Sequence, residues 1–219
     1  SLFSEVCRHT FGLSDGALDL AVLDTTDPAA IIRHQQRCNL KQLLVIISSK
    51  SGATLEVSSL SNYFYDAFQK AGLEPGEHCV VITDSDTPLQ AQANTWKVRR
   101  IFTHGQGTGS DVGGRFSALT YFGLVPAALM GLNIQQLLSR AQAMAEACRP
   151  SSTTAANPGA QLAAALALAL EAGQDKILFV GSPPRARFGV WAEQLVAEST
   201  GKSGKGLIPV DGETLRDPA

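Results

Sequence analysis

The sequence predicts an α/β protein with a doubly wound parallel sheet, followed by the start of a second sheet of the same kind. Two almost wholly apolar runs carry that prediction, residues 42–47 (QLLVII) and 79–83 (CVVIT). Such runs mark strands covered on both faces, as in a parallel sheet. The third observation is order. Strand-like and helix-like stretches alternate from residue 18 to residue 103, which implies right-handed crossovers.

Element by element, residues 18–23 read as a strand ending in Asp24-Thr-Thr-Asp-Pro28. Asp27 and Pro28 have the form of an N-cap and a first-turn proline. A Ser-rich turn follows QLLVII, and a helix is predicted over 54–71. After CVVIT come a short helix at 87–94 and a strand at 98–103. Two helices follow, 115–130 and 134–148. The first is apolar on nearly every face, so burial is expected, with a kink at Pro126. Residues 150–158 (PSSTTAANP) have linker composition. Beyond them lie a helix at 159–172, a strand at 176–180 (KILFV) and a helix carrying Glu198. The expected division is a first domain at 1–150, lacking its leading strand, and a partial second domain at 157–219. The second part buries too little surface to be secure alone. Both ends start and stop abruptly, so a segment of a longer protein is expected.

Composition excludes several classes. The chain has 219 residues, 44% hydrophobic and 17% charged, as in soluble globular proteins with a sizeable core. A net charge of -2 argues against a nucleic-acid binder. Cys7, Cys38, Cys79 and Cys148 form no CxxC pair, which favours free thiols in a reducing cytoplasm. The four histidines are equally scattered, and no metal site is expected. The longest apolar run, 162–170, is too short to span a bilayer.

Three places can carry chemistry. Ser49-Lys50-Ser51-Gly52-Ala53-Thr54 follows a strand and opens a helix. Ligands of open α/β sheets sit beyond the carboxyl ends of strands, and a helix start presents free N–H groups. A plain N-cap at Ser51 would explain one hydroxyl. It would not explain Ser49, Ser51 and Thr54 with Lys50, a set suited to phosphate. Next, Asp111-Val-Gly113-Gly114-Arg115 opens the apolar helix. A cation at that end needs an anionic partner, either Asp111 or a ligand developing negative charge. Gly113 and Gly114 leave room for a ligand near the backbone. Finally, Trp191, Leu195 and Glu198 fall at i, i+4 and i+7, with Glu193 on the opposite, solvent-facing side. A carboxylate in an apolar stripe resists ionisation, which is how a general base near neutrality is made. The ordinary alternative is a carboxylate frayed into water beside Gly201. No Walker A motif, dinucleotide-binding glycine motif or nucleophile elbow is present.

Together, Ser49-Lys-Ser-Gly-Ala-Thr54, Val112-Gly-Gly-Arg-Phe-Ser117 and Glu193-Gln-Leu-Val-Ala-Glu198-Ser-Thr-Gly-Lys202 resemble the phosphoglucose isomerase (glucose-6-phosphate isomerase) family. The wording of the last motif is most similar to the isomerase part of bacterial bifunctional transaldolase/phosphoglucose isomerases. The resemblance implies two flavodoxin-like sugar-isomerase (SIS) domains. It implies glucose 6-phosphate and fructose 6-phosphate as substrates, interconverted through a cis-enediol in glycolysis and gluconeogenesis. Ser49, Lys50, Ser51 and Thr54 match the family's phosphate loop, Arg115 its arginine beside the reacting carbons, and Glu198 its general base. No cofactor is implied, and a homodimer is. Only Ser1-Leu2 remains of the family's Gly-x-Gly-Gly-Ser-Ser-Leu loop, and its ring-opening histidine and C-terminal lysine would lie beyond Ala219. The reaction is therefore implied for the parent protein rather than for this segment alone. The competing class is a non-catalytic SIS module that binds a sugar phosphate as a signal. A transaldolase reading fails for this segment, because it shows no eightfold strand–helix run.

Overall fold

The computed structural model describes residues 2–104, 112–150, 153–182 and 186–213. They form two compact units, one spanning Leu20–Pro126 and the other combining Leu2–Asp19 with the chain from Ala127 onward.

In the second unit, α1 (Leu2–Phe11) buries Ser4 and Cys7. No strand follows it. The segment predicted as a strand at 18–23 is extended coil, and its Leu18 N–H bonds the Leu129 carbonyl instead of a ladder. An alternating run makes a strand only where a neighbour supplies hydrogen bonds.

The first unit opens with α2 (Pro28–Arg37). Asp27 caps it as expected, its two carboxylate oxygens accepting from the N–H groups of Ala29 and Ala30. A 3-10 turn at Leu40–Gln42 takes the first part of the QLLVII run, so β1 is Val45–Ser48. Then come α3 (Leu55–Lys70), β2 (Cys79–Asp84), α4 (Pro88–Trp96) and β3 (Arg100–His104). The three strands are parallel in the order β1-β2-β3, with Val45 opposite Cys79 and Val80 opposite Arg100. The central strand is buried at every position except Asp84, which explains its unbroken apolar sequence. On one of its faces Cys79 and Val81 meet Phe64 and Phe68 of α3 and Leu89 and Ala93 of α4. Phe68 is wholly enclosed, so truncating it to alanine would cost about 3–5 kcal/mol.

The helix expected at 115–130 is divided. A 3-10 stretch, Gly114–Leu119, ends at Thr120, and α5 (Tyr121–Leu129) starts afresh. Thr120 makes the break. Its hydroxyl donates to the Ser117 carbonyl at 2.7 Å and accepts from the Phe122 N–H at 3.3 Å. Burial is also one-sided: Ala127 and Met130 are enclosed, while Tyr121 and Leu119 are exposed.

The rest of the second unit contains α6 (Ile134–Ala147), α7 (Pro158–Glu171), β4 (Lys176–Leu178), α8 (Ala186–Thr200) and β5 (Ile208–Val210). The two strands pair in parallel, Lys176 opposite Ile208, and α8 packs on β5 and α1. Within this unit the 12–19 segment is tied to the end of α5 and the turn after it. Ser14 donates to the Met130 carbonyl through its N–H and to the Gly131 carbonyl through its hydroxyl. Inside the expected linker, Asn157 caps α7, accepting from the Ala160 N–H and donating to the Arg149 carbonyl.

Candidate active site

The carboxyl edge of the first sheet gathers the predicted phosphate loop into a tight turn. Ser49 is buried, and its N–H bonds the Ile82 carbonyl, which extends the β1–β2 pairing by one step. Its hydroxyl lies 3.1 Å from the Thr54 hydroxyl and accepts from the Gly52 N–H at 3.1 Å. Ser51 accepts from the Ala53 N–H, so its hydroxyl closes the turn rather than capping a helix. The N-cap of α3 is Thr54, and its side chain makes no capping bond. The opening of α3 is thus without a side-chain cap, beside two hydroxyls and a lysine. Such a start holds free N–H donors and partial positive charge, the setting for an oxyanion.

Gly52 is required by the turn. Its φ is +67°, and a Cβ there would lie 2.9 Å from both the Cβ and the N of Leu89 and 3.0 Å from the Cβ of Thr87. The turn is therefore pressed against the first turn of α4. Lys50 pairs with Asp84, Nζ to Oδ2 at 3.2 Å, and its carbonyl accepts from the Asp84 N–H. Sequence reasoning passed over Asp84, although its place just after CVVIT at a strand's carboxyl end was a usable signal.

Arg115 lies in the 3-10 stretch, half-buried, its guanidinium carbon 4.7 Å from the Phe116 ring centroid. It therefore does not open a long α-helix, and the helix-dipole part of the expectation does not apply to it. Asp111, its expected partner, and the glycine-rich loop at 105–110 lie outside the described residues. Neither Gly113 nor Gly114 has a positive φ. A Cβ at residue 114 would meet nothing within 4 Å, so open surface adjoins the arginine.

Glu198 belongs to the second unit, in the last turns of α8, and is exposed. The stripe α8 buries runs through Gly189, Ala192, Glu193 and Val196, because α1 and β5 cover that side. The expected facing is therefore rotated: Glu193 is half-buried and Glu198 faces outward within its own unit. Glu198 accepts from the Gln194 amide at 2.9 Å, one helical turn back. That i, i+4 pairing was readable from spacing and had been missed.

A cavity of about 600 Å³ opens at the carboxyl ends of β4 and β5, among Phe3, Cys7, Phe179, Phe188 and Asp211. It is mostly apolar and holds none of the predicted site residues. Burial pushes the Cys7 thiol up to about 11, so the thiol is inert there at neutral pH.

The first unit is thus a parallel α/β sheet with a hydroxyl-lined turn and a lysine at its carboxyl edge, the edge where open sheets of this class take their ligands. No protein-family model matches the chain. A Haloarcula marismortui protein named probable glucose-6-phosphate isomerase is 34% identical over 192 residues, covering 86% of this chain and 42% of that protein. The Cyanothece glucose-6-phosphate isomerase is 38% identical over 190 residues, covering 84% and 35%. A hypothetical protein from Thermus thermophilus, known from its crystal structure, superposes with a TM-score of 0.82 at 26% identity. That match covers 94% of this chain and 49% of the other. The chain belongs to the glucose-6-phosphate isomerase family. It spans 34–44% of the length of the curated relatives it matches.

Proposed function

We propose that the protein of which this chain forms a part is an aldose–ketose isomerase interconverting glucose 6-phosphate and fructose 6-phosphate, in glycolysis and gluconeogenesis. The observation that carries this reading is the α3 opening. Thr54 turns its hydroxyl to Ser49, the helix has no side-chain cap, and Lys50 stands alongside. Ser49, Ser51, Thr54 and Lys50 would hold the substrate phosphate, each charge-assisted bond contributing about 1.5–3 kcal/mol. Glu198 would carry the proton between C1 and C2. Arg115 would stabilise the enediolate charge, beside Gly113 and the open backbone at Gly114. The chemistry moves a proton between adjacent carbons and calls for no cofactor.

The two SIS domains are proposed at 1–150 and 157–219, the second continuing in the parent protein. Four free cysteines fit a reducing cytoplasm, and among the described residues no helix is long and apolar enough to cross a membrane. A homodimer, and a transaldolase fused ahead of the isomerase, are proposed from the family likeness alone.

The test is Glu198→Gln in the full-length parent. The expected result is retained binding of fructose 6-phosphate with turnover lost by about a hundredfold or more. Unchanged turnover would remove Glu198 from the mechanism. A parent that binds the sugar phosphate but never turns it over would identify a sensing module. Thr54→Val should weaken phosphate binding about tenfold, and undiminished affinity would count against the cradle.

A further inference from the structure

The pairing of Lys50 with Asp84 has a construction that an incidental surface ion pair lacks. Both main-chain groups of Asp84 are fixed. Its N–H donates to the Lys50 carbonyl at 3.2 Å, and its carbonyl accepts from the Thr87 hydroxyl at 3.2 Å. Thr83, wholly buried, reaches the same Lys50 carbonyl at 3.4 Å and the Thr87 hydroxyl at 2.8 Å. Thr87 in turn caps α4 through the Gln90 N–H. The carboxylate therefore stands on a frame of strand end, turn and helix start. Its Oδ2 lies 3.2 Å from the Lys50 ammonium, and its Oδ1 is buried with no partner among the described residues. Within that set, binding Lys50 is the only polar contact this side chain makes.

A lysine ammonium is a point charge on a flexible stem, and ordering it when a ligand arrives opposes binding. We propose that Asp84 is a positioning residue for Lys50, holding the ammonium beside the Ser49–Thr54 hydroxyls before phosphate arrives. This rests on the phosphate reading of that turn and deepens it. The arrangement has an inherent opposition. A carboxylate near the cradle repels an anion, while a preset lysine attracts one.

The opposition gives the test its sign. Inorganic phosphate binding is measured by calorimetry on the protein and on Asp84→Asn, Lys50→Met and the double variant. Asp84→Asn is expected to weaken binding about tenfold when Lys50 is present, the worth of one hydrogen bond. In the Lys50→Met background it is expected to leave binding unchanged or strengthen it, since only repulsion is then removed. Strengthening in both backgrounds would make Asp84 a mere repellent. Weakening in both would make it a structural residue. Either result overturns the proposal. A second readout needs no ligand: the Lys50 ¹⁵N-ammonium resonance at mildly acidic pH and low temperature. It should be visible in the unaltered protein and lost to solvent exchange in Asp84→Asn. If phosphate does not bind the unaltered protein, the cradle reading fails. The ammonium signal then judges Asp84 alone, and its persistence in Asp84→Asn refutes the positioning role.

Discussion

Substituting Gly52 by alanine separates two costs that usually arrive together. At a φ of +67° an L-residue pays a backbone penalty of about 1–2 kcal/mol. The new Cβ would also meet the Leu89 Cβ and N at 2.9 Å and the Thr87 Cβ at 3.0 Å. Those atoms are backbone and side-chain roots at the start of α4, so α4 or the turn must shift. Overpacking of that kind costs about 1–3 kcal/mol more, giving about 2–5 kcal/mol in all. Gly72 supplies the control, with a φ of +70° and nothing within 4 Å of an added Cβ. Gly72→Ala should cost about 1–2 kcal/mol, the backbone share alone. Urea unfolding of the first unit can be followed through Trp96, which stacks on Tyr65 at 4.2 Å, in a Trp191→Phe background. The reasoning is refuted if the two alanine variants lose equal stability. It is refuted equally if Gly52→Ala costs less than Gly72→Ala.

Three further outcomes are expected. Ser49→Ala removes the partner of the Gly52 N–H and the Thr54 hydroxyl from a buried position, and should cost about 1–3 kcal/mol in the same urea assay. Asn157→Ala removes the α7 cap and the bond to the Arg149 carbonyl, for a loss of about 1–2 kcal/mol read as a lowered melting midpoint. Burial pushes the Cys7 and Cys79 thiols from 9.0 up to about 11. Between those values the folded state holds protons that the unfolded state has released. Stability should therefore be full below pH 9 and fall as pH rises toward 11, by on the order of 2–3 kcal/mol per thiol. A Cys7→Ala/Cys79→Ala variant should show a flatter alkaline decline, and an unchanged slope would refute the assignment.

What the sequence disclosed depended on whether an element's character was local. The central strand was legible because residues 79–83 are buried on both sides and say so in an unbroken apolar run. Asp27 and Pro28 were legible because a cap is a short-range bond. Residues 18–23 misled because strand identity belongs to a pair, and among the described residues none pairs with them in a ladder. Thr120 hid the break between the 3-10 stretch and α5, since hydroxyl-to-carbonyl bonding inside an apolar run leaves hydrophobic periodicity intact. β5 is three residues containing Pro209, too short for periodicity to register. At the site, residue types were readable and orientations were not. The hydroxyl cluster around Gly52 could be picked out by composition and spacing. Which way α8 turns Glu193 and Glu198 is decided by packing on α1, at the other end of the sequence, and on β5, whose pairing with β4 hydrophobic periodicity does not reveal.

Thr54 ends a strand-to-helix turn without sealing the helix it begins. On the proposed reading of this turn as a phosphate cradle, a dissolved phosphate would act as the missing cap, and thermodynamic linkage would join two properties usually treated apart. The melting temperature of the first unit would climb with the logarithm of phosphate concentration above its dissociation constant. If the proposed sugar-phosphate binding holds, the pool of phosphorylated sugars in a cell would protect this unit from heat and proteolysis, most strongly when metabolite supply is high.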